Sequence, residues 1–567
     1  MGLVHSINKA LCIFCLLLAT VTLSAAKANT MTEIIDAITT QAELDTIATL
    51  VTNYLTEQPN QSEDRQQIIL YTVGHYPKAI PLLTELGFDF NSQNQEGMAA
   101  LHYAAIYNSN AIPILLQQGV DINIQNSNRA TPFHYAGGAF ANATVADEFD
   151  RYISSHIETN ENHSNYEAIQ YLIAAGADPW LTDVFGRNVL HYAAMYFPSF
   201  QNQMFEQSLI ALLLPLVKSK KQRNAKDSFG RTMLHYAVIY SSFIFEDGDY
   251  SELEANYKKY LATDWKLDNT VKPLLQSKVA KNSMDNKKLT PLHLAIRSQS
   301  NAVQLLLDAG VKTNRKSDKG LTAMHFAAIF DPKVIPNLAA AKAKVNKKDK
   351  SKMTPLHYAA SEQGNINSIE ALLKVGANIN ALDEYRWTPF AIALRYQPEA
   401  VPMMMHYQPD INIQNSAGWT SLHIAAYTAT GHIDLLLENN ADVTIKEKNG
   451  RTPLHIAAKF QARVIKNLVQ YQADLNAIDD HGLTPLETAA IFNANAVAQL
   501  IALGAKNEEY VSDETLTPLL YASYYQPNAL PYLLKSSADL TSFDKQKQLA
   551  IEIFKEKHPQ LKVSDYF

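Results

Sequence analysis

Thr354-Pro355-Leu356-His357-Tyr358-Ala359-Ala360 is restated, with variations, along most of the 567-residue chain. Thr452-Pro453-Leu454-His455-Ile456-Ala457-Ala458 is nearly the same heptad, and related segments open at Thr131, Thr290, Thr322, Thr420 and Thr484. With the histidine position as marker, the series runs His102, His134, His191, His235, His293, His325, His357, Ala391, His423, His455, Glu487 and Leu520, and most steps are 32 to 34 residues. A period of that length marks a solenoid, in which each unit buries its apolar face only against its neighbours.

The unit reads as helix, turn, helix, finger. Threonine is a good N-cap, and proline at the first helical position loses no hydrogen bond because its missing N–H would have no helical partner. Leu356, Ala359 and Ala360 give the first helix a small apolar face; after a turn at Gln363-Gly364-Asn365, Ile369, Leu372 and Leu373 give the second its own. Gly376 stops it, and the Asn/Asp-rich run Ala377 to Asp383 projects toward the next threonine. An aromatic recurs at the end of the first helix, at Tyr107, Phe330, Tyr396, Phe460, Phe492 and Tyr525, and is read as core. Proline recurs early in the second helix, in Ile112-Pro113, Ile335-Pro336, Val401-Pro402 and Leu530-Pro531, where a first turn accepts it.

These heptads resemble the ankyrin repeat, whose hallmark is Thr-Pro-Leu-His-x-Ala. The resemblance implies an all-α solenoid of stacked helix-turn-helix repeats with projecting β-hairpin or finger loops. It also implies a structural histidine that bonds turn backbone within and between repeats, and a scaffold that binds other proteins through fingers and first helices. Geometry agrees on the histidine: stacked helices sit ~8–10 Å apart, whereas zinc needs each nitrogen within ~2.1 Å of one ion. A ladder with one histidine per repeat therefore cannot chelate.

Residues 1–28 read as a secretory signal peptide: Lys9, the apolar run Ala10 to Leu23, then Ala26-Lys27-Ala28 as a small-x-small cleavage site. The run is too short for a comfortable membrane span, and no other segment approaches that length, so no transmembrane segment is expected in the mature chain. The myristoylation-like start Met1-Gly2 does not explain the apolar run, and Leu11 before Cys12 and Phe14 before Cys15 do not suit a lipoprotein signal. The only cysteines, Cys12 and Cys15, lie inside this segment, which rules out disulfides, a thiol nucleophile and thiolate metal sites in the remainder. The expected location is periplasmic or secreted. Without residues 1–28 the chain carries 47 basic against 56 acidic side chains, about −9, which disfavours general nucleic-acid binding.

Residues 29–64 read as an N-terminal helical cap broken at Pro59 to Asp64, 65–544 as the repeat array of about thirteen units, and 545–567 as a closing helix and tail. Three units are longer than the rest, with insertions near 138–165, 197–208 and 241–270. The third carries Phe243, Phe245, Tyr250, Tyr257 and Trp265 among acidic residues and is a candidate recognition surface, with mutual packing as the alternative. Four consecutive fingers are basic, with Lys220, Lys221 and Arg223, then Lys287 and Lys288, then Arg315 and Lys316, then Lys347, Lys348 and Lys350. Such a stripe suits a protein partner with an acidic surface, an anionic lipid or a polysaccharide; the alternative is a solvated edge.

No phosphate-binding glycine loop, dinucleotide fingerprint, zinc-protease motif or nucleophile elbow occurs. His156 and His163 flank Glu158 and Glu161 at spacings that match no metal site. No catalytic, cofactor-binding or metal residue is assigned, and no cofactor is expected. The reading is a non-enzymatic, monomeric, exported protein-binding scaffold, a bacterial secreted or host-interaction factor, with a surface-associated binder of anionic lipid or polysaccharide as the alternative.

Overall fold

The computed structural model describes residues 31–57, 62–138, 165–195, 208–239, 267–298, 301–361, 365–428, 431–507, 516–536 and 543–567. Repeated helix pairs run through two units, residues 1–311 and 312–567. Among the described residues there are helices and turns but no strand, so the fingers are turns and not hairpins of assigned strand.

In the first unit, helices at 31–39 and Leu44–Glu57 precede the first recognisable pair, Ser62–His75 and Ile80–Glu85. Of the break read at Pro59 to Asp64, Ser62 to Asp64 belong to the helix Ser62–His75, and Pro59 to Gln61 lie outside the described residues. First helices then follow at Ala100–Tyr107, Pro132–Ala136, Val189–Met195, Met233–Ala237 and Pro291–Arg297. In the second unit they run Ala323–Phe330, Pro355–Ala360, Pro389–Tyr396, Ser421–Thr428, Pro453–Phe460, Pro485–Phe492 and Pro518–Tyr525, followed by Phe543–Lys557. Within each unit, consecutive first helices pack on one another and second helices do the same behind them.

Helices this short are marginal alone and depend on that packing. In Pro355–Ala360 the side chains of Leu356, Ala359 and Ala360 are buried, and the alanine pair lets the next first helix approach closely. Thr354 sits at the N-cap in extended conformation, φ −93° and ψ 166°. Among the described residues, four second helices begin with a one-turn 3-10 segment and then the recurring proline, as in Pro332–Val334 leading into Ile335–Ala340. Proline at the first turn removes no helical hydrogen bond there.

Polar side chains fasten neighbouring repeats in two ladders. At the finger base, an asparagine carbonyl oxygen accepts the backbone N–H of the next repeat: Asn346 from Asn378 at 2.7 Å, Asn380 from Asp410 at 2.9 Å, and Asn412 from Asp442 at 2.9 Å. The second ladder is the histidine series. In His357, Nδ1 accepts the Thr354 N–H at 3.1 Å, so the proton is on Nε2, which donates to the Trp387 carbonyl of the following repeat at 3.0 Å. His102, His134, His235, His325, His423 and His455 do the same with the carbonyls of Ala130, Arg187, Leu289, Met353, Arg451 and Leu483. Burial holds these imidazoles neutral by lowering their pKa, to about 4 for His102, His325, His357 and His423 and to about 3 for His235.

Candidate functional site

The finger tips are built by one side chain each. In Asp383 the Oδ1 oxygen accepts the N–H groups of Tyr385 (2.9 Å) and Trp387 (2.8 Å), an arrangement repeated at Asp183, Asp227, Asp285, Asn415 and Asp479. The second carboxylate oxygen often takes a tyrosine from the first helix, as in Tyr358 to Asp349 at 2.8 Å and Tyr192 to Asp183 at 2.6 Å. Adjacent tips are then stitched by backbone bonds: Ser228 N–H to Phe185 O and Asn286 N–H to Phe229 O in the first unit, Ser416 N–H to Tyr385 O and Lys448 N–H to Ala417 O in the second. Each unit thus presents a fixed row of turns whose outward side chains are free to vary.

The basic finger residues fall on this row in two pairs of fingers, one pair in each unit. Lys220 and Lys221 are exposed on the one-turn helix Lys220–Arg223 while Arg223 is half-buried; Lys287 and Lys288 are exposed at the next tip. In the second unit Arg315, Lys316, Lys348 and Lys350 are exposed and Lys347 is half-buried. Some of these ammonium groups have internal duties: Lys316 Nζ donates to the Lys348 carbonyl and Lys348 Nζ to the Leu382 carbonyl, each at 2.7 Å. Lys226 and Lys446 make the same link to Met284 and Ile478, and Gln414 makes it to Lys446. The residue before each tip is therefore a clamp between fingers, although the sequence alone suggests partner-facing charge at Lys316 and Lys348. The insertion aromatics Phe243, Phe245, Tyr250, Tyr257 and Trp265, and the cluster around His156 and His163, lie outside the described residues.

Exposed aromatics occur elsewhere, at positions that the sequence pattern assigns to core or does not single out. Tyr396, Phe460, Phe492 and Tyr525 are 40 to 51% exposed, and Tyr427 joins them at 41%. Each of these rings belongs to the last turn of its first helix, beyond the small buried residues that pack on the neighbours, so the stack covers it only in part. In the first unit the tip residues Phe185 and Phe229 are 45 and 47% exposed and stack with ring centroids 6.2 Å apart, with Arg187 4.5 Å over Phe185.

In the second unit, fingers and first helices together form a cleft of about 390 Å³. Trp387, Trp419, Tyr427 and Phe460 supply its aromatic lining, Ile424 and Ile456 are buried within it, and Arg395, Arg451 and Lys459 supply positive charge. Trp419 meets Tyr427 edge-on at 5.7 Å and Tyr427 meets Phe460 at 5.0 Å. The available signal was register: Trp387 and Trp419 occupy the same place in consecutive repeats, just before the capping threonine.

The family model for ankyrin repeats (three copies) matches residues 68–143, 156–246, 260–349, 330–415, 356–447, 391–479 and 422–513. The chain belongs to the ankyrin-repeat family. Among curated proteins no match is found. Ankyrin repeats make this a protein–protein interaction scaffold of a kind that is typically non-enzymatic. Among the described residues of this ankyrin-repeat protein, no group of three or more His, Cys, Asp or Glu side chains is placed to hold a metal ion. None of its described helices is long and apolar enough to cross a membrane.

Proposed function

We propose that this ankyrin-repeat protein is an exported, monomeric scaffold that binds a protein with an acidic surface in the periplasm or beyond the cell, acting as a secreted or host-interaction factor. The observation that supports binding is the exposed aromatic face of the first helices, Tyr396, Tyr427, Phe460 and Phe492, set among cations on a rigid stack. Rigid aromatic residues with neighbouring arginine are the usual anchors of protein interfaces. Export rests on residues 1–28, with Lys9, the apolar run and Ala26-Lys27-Ala28, and on the confinement of both cysteines to that segment.

A second reading, attachment to an anionic lipid or polysaccharide surface, is favoured by one arrangement: the exposed Phe185–Phe229 stack shares the finger row of the first unit with exposed Lys287 and Lys288. The deciding experiment is affinity capture with the full chain from the cell fraction that holds it, at low and high salt, with mass spectrometry of its N-terminus. A single protein retained at high salt and lost from a Tyr427→Ser, Phe460→Ser variant, with a mature chain beginning at Asn29, supports the scaffold. Binding to anionic vesicles or glycans that disappears steeply with salt supports the second reading. An uncleaved cytoplasmic chain overturns export.

A further inference from the structure

The cleft in the second unit combines an aromatic wall with unpaired positive charge, and a protein-binding scaffold gives that combination an obvious use. Resting on the scaffold reading, we infer that the cleft seats a segment of the partner protein in which an apolar side chain lies next to a carboxylate. The apolar group lies against Trp387 and Trp419, and the carboxylate points toward Arg395 and Lys459.

Charge is the first argument. The residues lining the cleft include three cations and no carboxylate. Arg451 is already committed to Asp479, 3.3 Å away and beneath the finger row. Among the described residues Arg395 and Lys459 have no such partner: Arg395 lies 5.1 Å over the Tyr396 ring, and the Lys459 ammonium lies 3.9 Å from the Phe492 ring and 5.1 Å from that of Phe460. An aromatic face attracts a cation without neutralising it, so both charges remain for an incoming anion. Burial, aided by the charge of Arg451, lowers the Lys459 pKa, as expected where positive charge is concentrated and poorly hydrated.

A second, independent observation lies inside the cleft. Thr488 is 3% exposed and its hydroxyl has no hydrogen-bond partner among the described residues. The equivalent residues of the preceding repeats are the apolar Ile424 and Ile456. A buried hydroxyl without a partner is unfavourable, and a polar group on a bound segment would satisfy it. Size is the third argument. About 390 Å³ is at the small end of ligand pockets, enough for one large side chain and part of its neighbour and too little for a folded element. The aromatic walls give such an anchor a large contact area, and two unpaired cations are too few for nucleic acid, which the overall negative charge also disfavours.

The test uses full-length protein and a blocked, fluorescein-labelled peptide alternating glutamate with leucine and phenylalanine, read by fluorescence polarisation. Its glutamine counterpart and phenylacetate serve as comparison ligands. Saturable binding of the glutamate peptide, ~10-fold or more weakened in the glutamine peptide and in Lys459→Met or Arg395→Gln, is the expected result. Thr488→Val, nearly isosteric, is expected to weaken binding a few-fold, with circular dichroism unchanged in every variant. Equal binding of the two peptides, or a Lys459→Met, Arg395→Gln double variant that binds like wild type, overturns the inference. So does competition by phenylacetate at the same concentration as the peptide, which would mark a small-molecule site. The two readings fail separately: a partner still captured by the double variant removes the cleft inference alone, while a wild-type chain that captures no protein removes the scaffold reading.

Discussion

Lowering the pH from 7.5 to 5 is expected to destabilise the repeats through the histidine ladder. In the folded chain the imidazoles of His102, His325, His357 and His423 have their pKa pushed down to about 4 and that of His235 to about 3, in every case chiefly by burial. In the unfolded chain they titrate near 6.5. A depressed folded pKa means that the unfolded state takes up more protons, so stability is intact above about 6.5 and falls as pH drops toward 4. At pH 5 the unfolded state gains about 1.5 pH units of protonation per histidine, or ~2 kcal/mol at 1.36 kcal/mol per unit. Two such residues in the first unit then cost ~4 kcal/mol and three in the second ~6 kcal/mol, a large share of the ~5–15 kcal/mol that holds a domain together. Burial raises the pKa of Asp285, Asp331 and Asp383, which works in the opposite sense at acid pH.

The clean perturbation is His357→Gln. A glutamine carbonyl oxygen can accept the Thr354 N–H and hydroxyl, as Nδ1 does, and its amide can donate to the Trp387 carbonyl, as Nε2 does, without titrating. Imperfect replacement is expected to cost up to ~1.5 kcal/mol at pH 7.5, and removal of the proton uptake to return ~2 kcal/mol at pH 5. The variant should therefore be the less stable protein at neutral pH and at least as stable as wild type at pH 5. Urea unfolding followed by circular dichroism at both pH values reads this directly. A stability difference that stays constant across that range would refute the argument, because it would mean the buried imidazole is not held neutral.

Three further outcomes are expected. Gly450→Ala should destabilise the second unit by more than ~2 kcal/mol in the same urea assay, since at φ +74° its Cβ would stand 2.7 Å from the Asp480 backbone nitrogen of the adjoining tip. Gln472→Gly should stabilise it by up to ~1 kcal/mol, because Gln472 holds φ +67° after the helix Ile465–Gln470, in the left-handed conformation that glycine adopts freely. Asn380→Ala should cost ~0.5–1.5 kcal/mol, since water can take the place of the lost partner at the exposed Asp410 N–H, and should increase hydrogen exchange at that amide.

The repeat architecture was legible because its determinants are local or periodic. Thr354 and Pro355 start a helix by their own chemistry, and a side chain that recurs every 32 residues can only meet its equivalents in the stack. What was not legible depends on which neighbour covers a side chain. Tyr396 and Phe460 look like core residues in a heptad pattern, yet the buried pairs Ala393-Leu394 and Ala457-Ala458 just before them already fill the inter-repeat contact and leave the rings outside. Lys316 and Lys348 look like part of a charged edge, and only the stacking distance reveals that each ammonium reaches the carbonyl of the next finger. Trp387 and Trp419 carry the register signal clearly, but a tryptophan before a capping threonine could have been buried as easily as exposed. The structure leaves both half-buried, lining the cleft.

The same ladders explain why the cleft stands where it does. Asparagine, histidine and tip carboxylate satisfy much of the backbone of each repeat, so beside the outward side chains of the tips three positions are left to shape a surface: the residue before the threonine, the one after the histidine, and the last turn of the first helix. Trp387, Trp419 and Arg451 occupy the first of these positions, Ile424, Ile456 and Thr488 the second, and Arg395, Tyr427, Lys459 and Phe460 the third. At the centre of the cleft His423 and His455 keep the ladder intact, while the repeats at its two ends have replaced the histidine. Thr388 caps its helix directly through the Ala391 N–H at 3.1 Å, and Glu487 takes both the backbone N–H and the hydroxyl of Thr484 on one carboxylate oxygen. Both substitutes satisfy the cap within their own repeat, but neither supplies the imidazole N–H that would fasten it to the next. The cleft therefore spans two repeats that lack the ladder histidine, and a segment bound across Arg395 and Thr488 would bridge the same span from outside.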